Sequence, residues 1–243
     1  MNFQRPNNLE FPKTYYTFKS KSKDSDEIIE YRVQDLPDDR FEEVLEMIKV
    51  DYLPEESLCA GKGIHTDPKP TKFLCDIWTE LMKSHLSIAC FRNDGNDDLV
   101  AVNFLTVHSK DDPKVSFEHQ SDIVKDVFDV MDYISEVANI YEKYNVDQYL
   151  AAYGLCVNRK YRGLGIATEM LKARAPYMKA MGLKITGTAF TAIGSQIAAK
   201  KAGYEEYFVM SFEDIKKIDP RFDFTSNPTN TKYYKQMALK IQC

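Results

Sequence analysis

One segment of the chain combines residue types and spacing that suit the binding of a phosphate group. A run of apolar residues typical of a buried strand ends at Val157, and three basic residues follow within four positions: Arg159, Lys160 and Arg162. The sequence Arg-Gly-Leu-Gly-Ile-Ala over residues 162–167 then opens a helix. Glycines at such a junction let successive backbone N–H groups point into one space, and the helix N-terminus adds about half a positive charge. The segment is therefore suited to holding a phosphate or pyrophosphate.

Three classes of nucleotide-containing ligand use such a turn. An ATP site of the Walker type ends in Gly-Lys-Ser/Thr, whereas Gly165 is followed by Ile166 and Ala167, which argues against ATP. A dinucleotide site needs a third glycine where Thr168 stands and an acidic residue at the end of the next strand, and both are missing. Coenzyme A remains, with a pyrophosphate for the glycine turn and a ribose phosphate for the neighbouring cations. Alternatively, residues 162–167 bind no ligand and form only a tight strand-to-helix turn.

The elements expected around this segment alternate between strands and helices. Strands are expected on β-branched and aromatic runs at residues 28–33, 86–91, 99–108, 149–157, 184–190, 204–212 and 233–240. Helices are expected on apolar residues at helical spacing, from Asp38 or Asp39 to Pro54, from a Thr71 N-cap past Leu81, from Ser121 to Tyr144, from Leu164 to Met181 and from Ser195 to Ala202. This order predicts one α/β domain with a mixed, mostly antiparallel central sheet of about seven strands flanked by helices.

The composition is typical of a globular protein. The 243 residues are 44% apolar and 28% charged, which argues against a disordered or collagen-like chain. The longest uncharged stretch, residues 185–199, has 15 residues and is shorter than the roughly 20 that span a bilayer. Residues 1–23 are polar and lack the apolar core of a secretory signal, so we expect a cytosolic protein. We predict a polar N-terminal segment over residues 1–23, which can be flexible, and a catalytic or binding domain over residues 24–243.

Charge, cysteine and histidine usage narrow the function classes further. The net charge is −5, so the chain lacks the sustained basic surface that binds nucleic acid. Residues 24–56 carry thirteen acids, which either form a solvated helix face or line a site for a cationic small molecule. Five cysteines without a CxxC pair fit reduced thiols, and four histidines without HxxxH or HExxH spacing predict no metal site.

The glycine segment resembles the Q/R-x-x-G-x-G/A motif of the GNAT acetyltransferase superfamily. Arg162 stands in the Q/R position, Gly165 in the fixed glycine position and Ala167 in the last position. A second feature follows the next strand, where residues 195–198 and 202–204 are similar to the superfamily's N-x-x-A helix and x-G-F strand. The resemblance covers residues 28–240 and implies that acetyl-CoA is the co-substrate.

The same resemblance implies which residues contact the coenzyme. The strand before the turn would supply backbone N–H donors for the thioester oxyanion, and the turn would hold the pyrophosphate. Cys156 would then be a strand residue and no nucleophile, because no histidine stands beside it in the sequence and the superfamily transfers the acetyl group directly. The implied coenzyme-binding residues are Leu155, Cys156, Val157, Arg162, Gly163, Leu164, Gly165, Ile166, Ala167 and Thr168.

Within the superfamily, the chain is similar to the insect arylalkylamine N-acetyltransferases. That family has a D/E-E-P-L segment after its first helix, and its second acid is the catalytic base. Residues 55–58 read Glu-Glu-Ser-Leu, which implies Glu56 as the base, with Glu55 as the next candidate and Ser57 in place of the proline. Thr191 and Ser195 match a pair of hydroxyl residues four apart in that family, and Ser195 is equally suited to cap its helix.

The resemblance also implies a reaction, with alternatives. Many GNAT enzymes have a general-acid tyrosine where Ala199 stands, so a proton donor here must be another group. The implied reaction is acetyl transfer to the primary amine of a small arylalkylamine such as dopamine, serotonin or tryptamine. One alternative is an aliphatic polyamine, which needs a second carboxylate for its far cation. The other alternative is a coenzyme A-binding protein without transfer activity.

Overall fold

An eight-stranded sheet runs through the computed structural model, which describes residues 3–23, 25–117 and 119–242. Its strand order is β1-β2-β3-β4-β5-β6-β8-β7, with β5 and β6 parallel and all other neighbours antiparallel. The mixed, mostly antiparallel sheet predicted from the sequence is therefore confirmed, with eight strands. The strands are β1 (Thr14–Lys21), β2 (Ile28–Asp35), β3 (Ile88–Arg92), β4 (Leu99–Ser109), β5 (Gln148–Val157), β6 (Ile185–Phe190), β7 (Glu205–Ser211) and β8 (Tyr233–Lys240).

Helices cover both faces of this sheet. They are α1 (Phe41–Asp51), α2 (Ser57–Gly61), α3 (Pro68–Lys83), α4 (Asp122–Ala138), α5 (Ile140–Tyr144), α6 (Ile166–Met181), α7 (Ile193–Lys201) and α8 (Phe212–Ile218). Successive residues of a strand point to opposite faces, so Ala89 and Phe91 pack in the core under α1, α3 and α4, whereas Ile88 and Cys90 pack under α6. The long helix α6 thus lies on the face opposite α1, α3 and α4, and α7 packs beside it through Ala198 and Ala199.

The N-terminal segment is part of the sheet. The sequence predicted a polar segment over residues 1–23 outside the domain, but residues 14–21 form β1 at the sheet edge, paired with β2. Two side chains also join this strand to the start of α6. The Tyr16 hydroxyl donates to Oε2 of Glu169 at 2.7 Å, and the Ser20 hydroxyl donates to the Leu164 carbonyl at 3.0 Å. Residues 1 and 2 lie outside the described residues.

Several helix boundaries differ from the sequence-based prediction. Helix α3 begins at Pro68 because Asp67 is its N-cap and accepts from the backbone of Lys69 at 3.0 Å, whereas Thr71, the predicted cap, bonds to the Ile64 carbonyl. The helix predicted over residues 121–144 is interrupted at Asn139, whose φ of 35° ends α4 and begins α5. The short helices α2 and α8 were not predicted.

The strands β5 and β6 separate soon after they meet. Their only registered pair joins Leu150 to Thr186, so beyond this point one edge of β5 has no strand beside it. The opposite edge stays paired with β4, with a shift in register between Asn103 and Leu105. This separation opens a cleft in the middle of the sheet.

Two further observations concern the part of the chain that the structure describes. None of its helices is both long enough and apolar enough to cross a bilayer. Cys59, Cys75, Cys90 and Cys156 are buried free thiols, and Cys243 lies outside the described residues.

Candidate active site

A cavity of about 440 Å³ occupies the cleft between β5 and β6. Its polar side is formed by the connection from α1 to α2, by Arg162 just before the glycine turn and by the connection from β6 to α7, whereas Gly163, Leu164, Gly165, Ile166 and Thr168 do not line it. Its other side is apolar and is formed by α3 and α4. The apolar residues that line it are Leu74, Ile77 and Trp78 of α3 and Val127, Phe128 and Met131 of α4. The cavity therefore has a polar, charged side and an apolar side.

A bulge in β5 shapes the cavity where the strands part. Gly154 has a φ of +126°, a conformation that side chains rarely adopt, and a Cβ atom there would lie 3.1 Å from the Tyr52 hydroxyl oxygen. The Gly154 carbonyl accepts a hydrogen bond from the Asn103 amide at 2.7 Å. The bulge turns the backbone of Leu155 and Cys156 along the cavity, which both residues line.

Glu56 is held in place by three hydrogen bonds. It is the N-cap of α2, where its Oε2 accepts from the backbone N–H groups of Leu58 at 3.0 Å and Cys59 at 2.8 Å. Its Oε1 accepts from the Thr191 hydroxyl at 2.5 Å. Glu56 lines the cavity, and its carboxylate also contacts the buried thiol of Cys59. Among the described residues, no cation is paired with Glu56.

The two hydroxyl residues predicted from the sequence have different partners. Thr191 reaches Glu56, as described above. Ser195 is not the N-cap of its helix, because α7 begins at Ile193 with Ala192 as its N-cap, and the Ser195 hydroxyl donates to the Ala192 carbonyl at 2.8 Å. Both side chains line the cavity.

Ser57, which stands where the insect family has proline, joins two parts of the site. Its side chain is fully buried, and its hydroxyl donates to the Thr191 carbonyl at 2.7 Å and contacts the Thr229 hydroxyl at 3.0 Å. A proline would lack this hydroxyl. The serine therefore fastens the start of α2 to the segment that carries Thr191.

Glu55 is engaged by two arginines. It accepts from Arg159 at 2.7 Å and forms an ion pair with Arg162. Burial acts to raise the pKa of the Glu55 carboxyl, but the hydrogen bonds from both arginines outweigh it and leave the pKa below its usual value. A carboxylate stabilised in this way is a poor proton acceptor.

Arg162 also holds neighbouring segments together. Its guanidinium donates to the Val157 carbonyl at 3.1 Å and to the Asp51 carbonyl, in addition to its pair with Glu55. Its side chain lines the cavity, but these bonds use it to join the end of β5 to the end of α1. Arg162 would therefore influence ligand binding mainly by fixing the shape of the turn.

The glycine turn itself faces open space. Gly163 and Gly165 have φ values of +84° and +79°, and a Cβ at Gly165 would meet nothing within 4 Å. Helix α6 begins at Ile166, whose side chain is buried in the core while the first turn of backbone faces outward. Lys23 lies beside this turn, with its Cε 3.8 Å from the Cβ position of Gly163. Sequence reasoning missed Lys23, although the basic excess of residues 1–23 was visible.

A fully buried arginine lies below the cleft. Arg174 of α6 is 1% exposed and lines the cavity, and it donates to Asn103 at 2.9 Å, to Thr188 at 3.0 Å and to Thr186 at 3.2 Å. Burial lowers the pKa of its guanidinium. Since Asn103 also holds the carbonyl of Gly154, this network fixes the bulge of β5 against α6. Nothing in the helical pattern of the sequence singles out Arg174.

Aromatic side chains close the apolar end of the cavity. The Trp78 indole N–H donates to the Tyr153 carbonyl at 2.8 Å, and the Tyr153 hydroxyl lies 3.1 Å from Nε2 of His108. Burial lowers the pKa of the His108 imidazole, so this ring is neutral at physiological pH. In residues 3–23, 25–117 and 119–242, no three His, Cys, Asp or Glu side chains are grouped to hold a metal ion.

Cys156 has the surroundings of a structural thiol. It is 2% exposed, and burial raises the pKa of the thiol to about 12. The thiolate is the reactive form, so at neutral pH this residue is a poor nucleophile. This agrees with the sequence-based expectation that Cys156 is a strand residue.

Comparison with known proteins identifies GNAT acetyltransferases as similar to this chain. The model of the GNAT acetyltransferase family matches residues 105–204. The structure of an insect protein named arylalkylamine N-acetyltransferase 7, from the yellow fever mosquito, is 36% identical, with a TM-score of 0.93 over 99% of this chain and 100% of that one. Arylalkylamine N-acetyltransferase 2 of Aedes aegypti is 16% identical with a TM-score of 0.74, over 87% of this chain and 99% of that one. A polyamine N-acetyltransferase of Drosophila melanogaster is 14% identical with a TM-score of 0.71, over 87% and 100%. At 16% and 14% identity, the last two proteins show that this chain shares their fold.

Proposed function

This chain belongs to the GNAT acetyltransferase family, whose members use acetyl-CoA, and on that premise we propose that it acetylates the primary amine of a small arylalkylamine. The observation that carries the proposal is the position of Glu56. Its carboxylate is held by hydrogen bonds at the lining of an apolar, aromatic cavity, and none of the cations among the described residues is paired with it. An ammonium group docked there with its ring in the apolar interior could lose a proton to Glu56 directly or through a water.

The apolar interior favours an aryl group over a second cation. Three carboxylates line the cavity, and all lie at its polar side: Asp51, Glu55 and Glu56. Glu55 is paired with two arginines, and Asp51 accepts from the backbone of Arg159 at 3.1 Å. A polyamine would bury its far ammonium against α3 and α4 without a carboxylate, at a cost of several kcal/mol. The mosquito protein at 36% identity carries an arylalkylamine name, which agrees with this preference.

The reaction we propose is direct attack in a ternary complex. The amine, once deprotonated, attacks the thioester carbon, and negative charge develops on the thioester oxygen. We expect backbone N–H groups at the end of β5 to stabilise this charge. Asn158 donates its N–H to Val100 of β4, so by strand alternation Val157 points its N–H toward the cleft and Cys156 points its N–H toward β4. Coenzyme A then leaves as the thiolate, which is a good leaving group because thiols have pKa values of about 8.5, and the thiolate takes up a proton from solvent.

A panel of amines tests the function. Release of coenzyme A thiol would be followed with acetyl-CoA and either arylethylamines or aliphatic diamines and polyamines. We expect kcat/KM to be at least about tenfold higher for the arylethylamines, the difference that a buried unpaired cation would make. A preference for diamines would contradict the substrate class. If acetyl-CoA binds tightly but none of the amines causes release of the thiol, the result would support the alternative of a coenzyme-binding protein without transfer activity.

We propose that the coenzyme binds along residues 155–157 and 162–168, and Gly165 tests this location. Gly165→Val would place a branched side chain in the open space that the turn faces. We expect the Kd of coenzyme A, measured by calorimetry, to rise on the order of tenfold or more, since hydrogen bonds to charged phosphate are strong. Gly182→Val is the matched control, because Gly182 has a φ of +72° at the other end of α6 and equally open surroundings. Equal affinities in the two variants would contradict the assignment.

The order of events is tested with Cys156. Direct transfer requires both substrates to be bound together, whereas an acetyl-cysteine intermediate would release coenzyme A before the amine binds. Because the Cys156 thiol is buried with a raised pKa, we expect intersecting initial-rate plots and most of the activity retained in Cys156→Ala. Parallel plots, or an acetylated Cys156 found by mass spectrometry after incubation with acetyl-CoA alone, would rule out direct transfer.

A further inference from the structure

Tyr52 is a tyrosine at the cavity that the reaction described above does not use. It follows α1 directly, and its backbone carbonyl accepts from the backbone N–H of Glu56 at 2.8 Å, so the two residues are one helical turn apart. Its side chain lines the cavity. Among the described residues, the Tyr52 hydroxyl has no hydrogen-bond partner, yet it is not closed off from the cavity space. Tyr52 is half-buried, so its hydroxyl can donate to a group bound in the cavity.

The packing of Tyr52 aims this hydroxyl at the bulge of β5. The ring lies edge-on to Trp78, with centroids 5.8 Å apart at 87°, which restricts its rotation. The hydroxyl oxygen lies 3.1 Å from the position that a Cβ of Gly154 would occupy. Only glycine leaves room for the phenol there. The donor thus stands over the same stretch of backbone that we expect to stabilise the thioester oxygen.

We propose that the Tyr52 hydroxyl is a catalytic hydrogen-bond donor to the thioester oxygen of acetyl-CoA. This inference rests on the proposed acetyl transfer and adds a side-chain donor to the backbone donors of β5. This role differs from that of the general-acid tyrosine in whose place Ala199 stands, since a general acid gives up its proton. Tyr52 lies on the chain segment that also carries Glu56.

The step balances without a proton leaving Tyr52. The nitrogen lone pair of the amine forms the new C–N bond while the carbonyl π electrons move to oxygen, and the Tyr52 hydroxyl donates a hydrogen bond to that oxygen. When the carbonyl re-forms, the C–S bond breaks and its electron pair leaves with the sulfur of coenzyme A. The protons that the ammonium group loses pass through Glu56 to solvent.

Electrostatics keep the phenol in its donor form. Burial, followed by the negative charge of Glu56, holds the pKa of Tyr52 well above its ordinary value. The hydroxyl therefore stays protonated over the whole working range of pH. A neutral donor that cannot ionise is suited to stabilising an oxyanion and unsuited to delivering its proton to a thiolate.

Tyr52→Phe tests the proposal because it removes the hydroxyl and keeps the ring against Trp78. We expect kcat to fall on the order of 10²-fold, the usual loss for one oxyanion donor, with the KM of the amine and the Kd of acetyl-CoA changed less than about twofold. Tyr177→Phe is the control, since Tyr177 is a buried tyrosine of α6 whose hydroxyl bonds to the Leu86 carbonyl and does not line the cavity. A Tyr52→Phe enzyme with wild-type kcat, or with changes in KM and Kd alone, would overturn the proposal.

A spectroscopic measurement separates this proposal from the proposed reaction. A hydrogen bond from Tyr52 lowers the stretching frequency of the thioester carbonyl, which isotope-edited infrared spectroscopy detects in bound acetyl-CoA labelled with ¹³C at the carbonyl. We expect the band to shift to higher frequency in Tyr52→Phe and to stay in place in Tyr177→Phe. An unchanged band in Tyr52→Phe overturns the role of Tyr52. A shifted band in a protein that acetylates no amine supports the contact and overturns the proposed reaction alone.

Discussion

Glu56→Gln should lower kcat/KM for the preferred amine on the order of 10²-fold, the usual effect of losing a general base, while the Kd of acetyl-CoA stays within about twofold. Glutamine keeps a carbonyl oxygen for the backbone N–H groups of Leu58 and Cys59, so the N-cap of α2 is preserved. The Thr191 hydroxyl can turn to accept from the new amide. What is lost is the acceptor for the proton of the ammonium group.

Glu55→Gln is the matched control for this prediction. It neutralises the neighbouring acid, which is engaged by Arg159 and Arg162, and leaves Glu56 unchanged. We expect it to keep kcat within about threefold, because a partly exposed ion pair contributes at most about 1 kcal/mol. Raising the pH should also restore part of the activity of Glu56→Gln, since more of the free amine is then deprotonated in solution. A larger loss in Glu55→Gln than in Glu56→Gln would contradict the assignment of the base.

Most of the strands could be predicted from the sequence because each combines a buried, β-branched face with clear turn residues at its ends. The hairpin of β3 and β4, with Asn93 to Asn96 between two apolar runs, is an example. Strand β1 lacks that pattern. Its residues are half-buried or exposed, and its pairing depends on the edge of β2, which no local pattern reveals.

Helix ends were predicted less well than helix centres, since several side chains compete for the same cap. Thr71 and Ser195 are both good N-cap residues by type, but Asp67 and Ala192 begin these helices three or four residues earlier. In α3, the prolines at 68 and 70 lie in the first turn, where a missing N–H costs nothing, although they read as loop residues in the sequence. Asn139 breaks the long predicted helix because asparagine tolerates a positive φ.

The residues of the candidate site, like the elements of the fold, could be predicted from the sequence only in part. Local motifs predicted the glycine turn and Glu56 as site residues, since each lies in a short segment with a recognisable order of residues. Tyr52, Asn103 and Arg174 could not be found in that way, because their place at the cavity depends on how β4, β5 and α6 meet around the bulge at Gly154. Arg174 in particular reads as a solvated residue of an amphipathic helix and is instead fully buried. Side chains that act across elements become visible only in the assembled fold.

Trp78→Ala should produce the largest loss of stability among substitutions at the cavity. The indole is 4% exposed, lies in a stacked arrangement on Phe104 at 5.6 Å and edge-on to Tyr52, and its N–H bonds to the Tyr153 carbonyl. Truncating a buried tryptophan costs about 3–5 kcal/mol in the free energy of unfolding, which for a chain of this length corresponds to a fall in Tm of roughly 10 °C. Urea unfolding followed by circular dichroism measures the first quantity, and thermal unfolding the second.

Trp78→Phe separates the two contributions that the indole makes. Phenylalanine keeps an aromatic ring against Phe104 and Tyr52 but leaves the Tyr153 carbonyl without its N–H donor, so we expect a smaller loss, of about 1–3 kcal/mol. Both variants should raise the KM of an arylalkylamine more than the Kd of coenzyme A, because α3 lines the apolar interior of the cavity, whereas Gly163 and Gly165 of the glycine turn do not line the cavity. If Trp78→Ala instead weakened coenzyme binding and left the KM of the amine unchanged, the ring of the amine would have to bind elsewhere, and the apolar interior between α3 and α4 would lose its place in the proposed reaction.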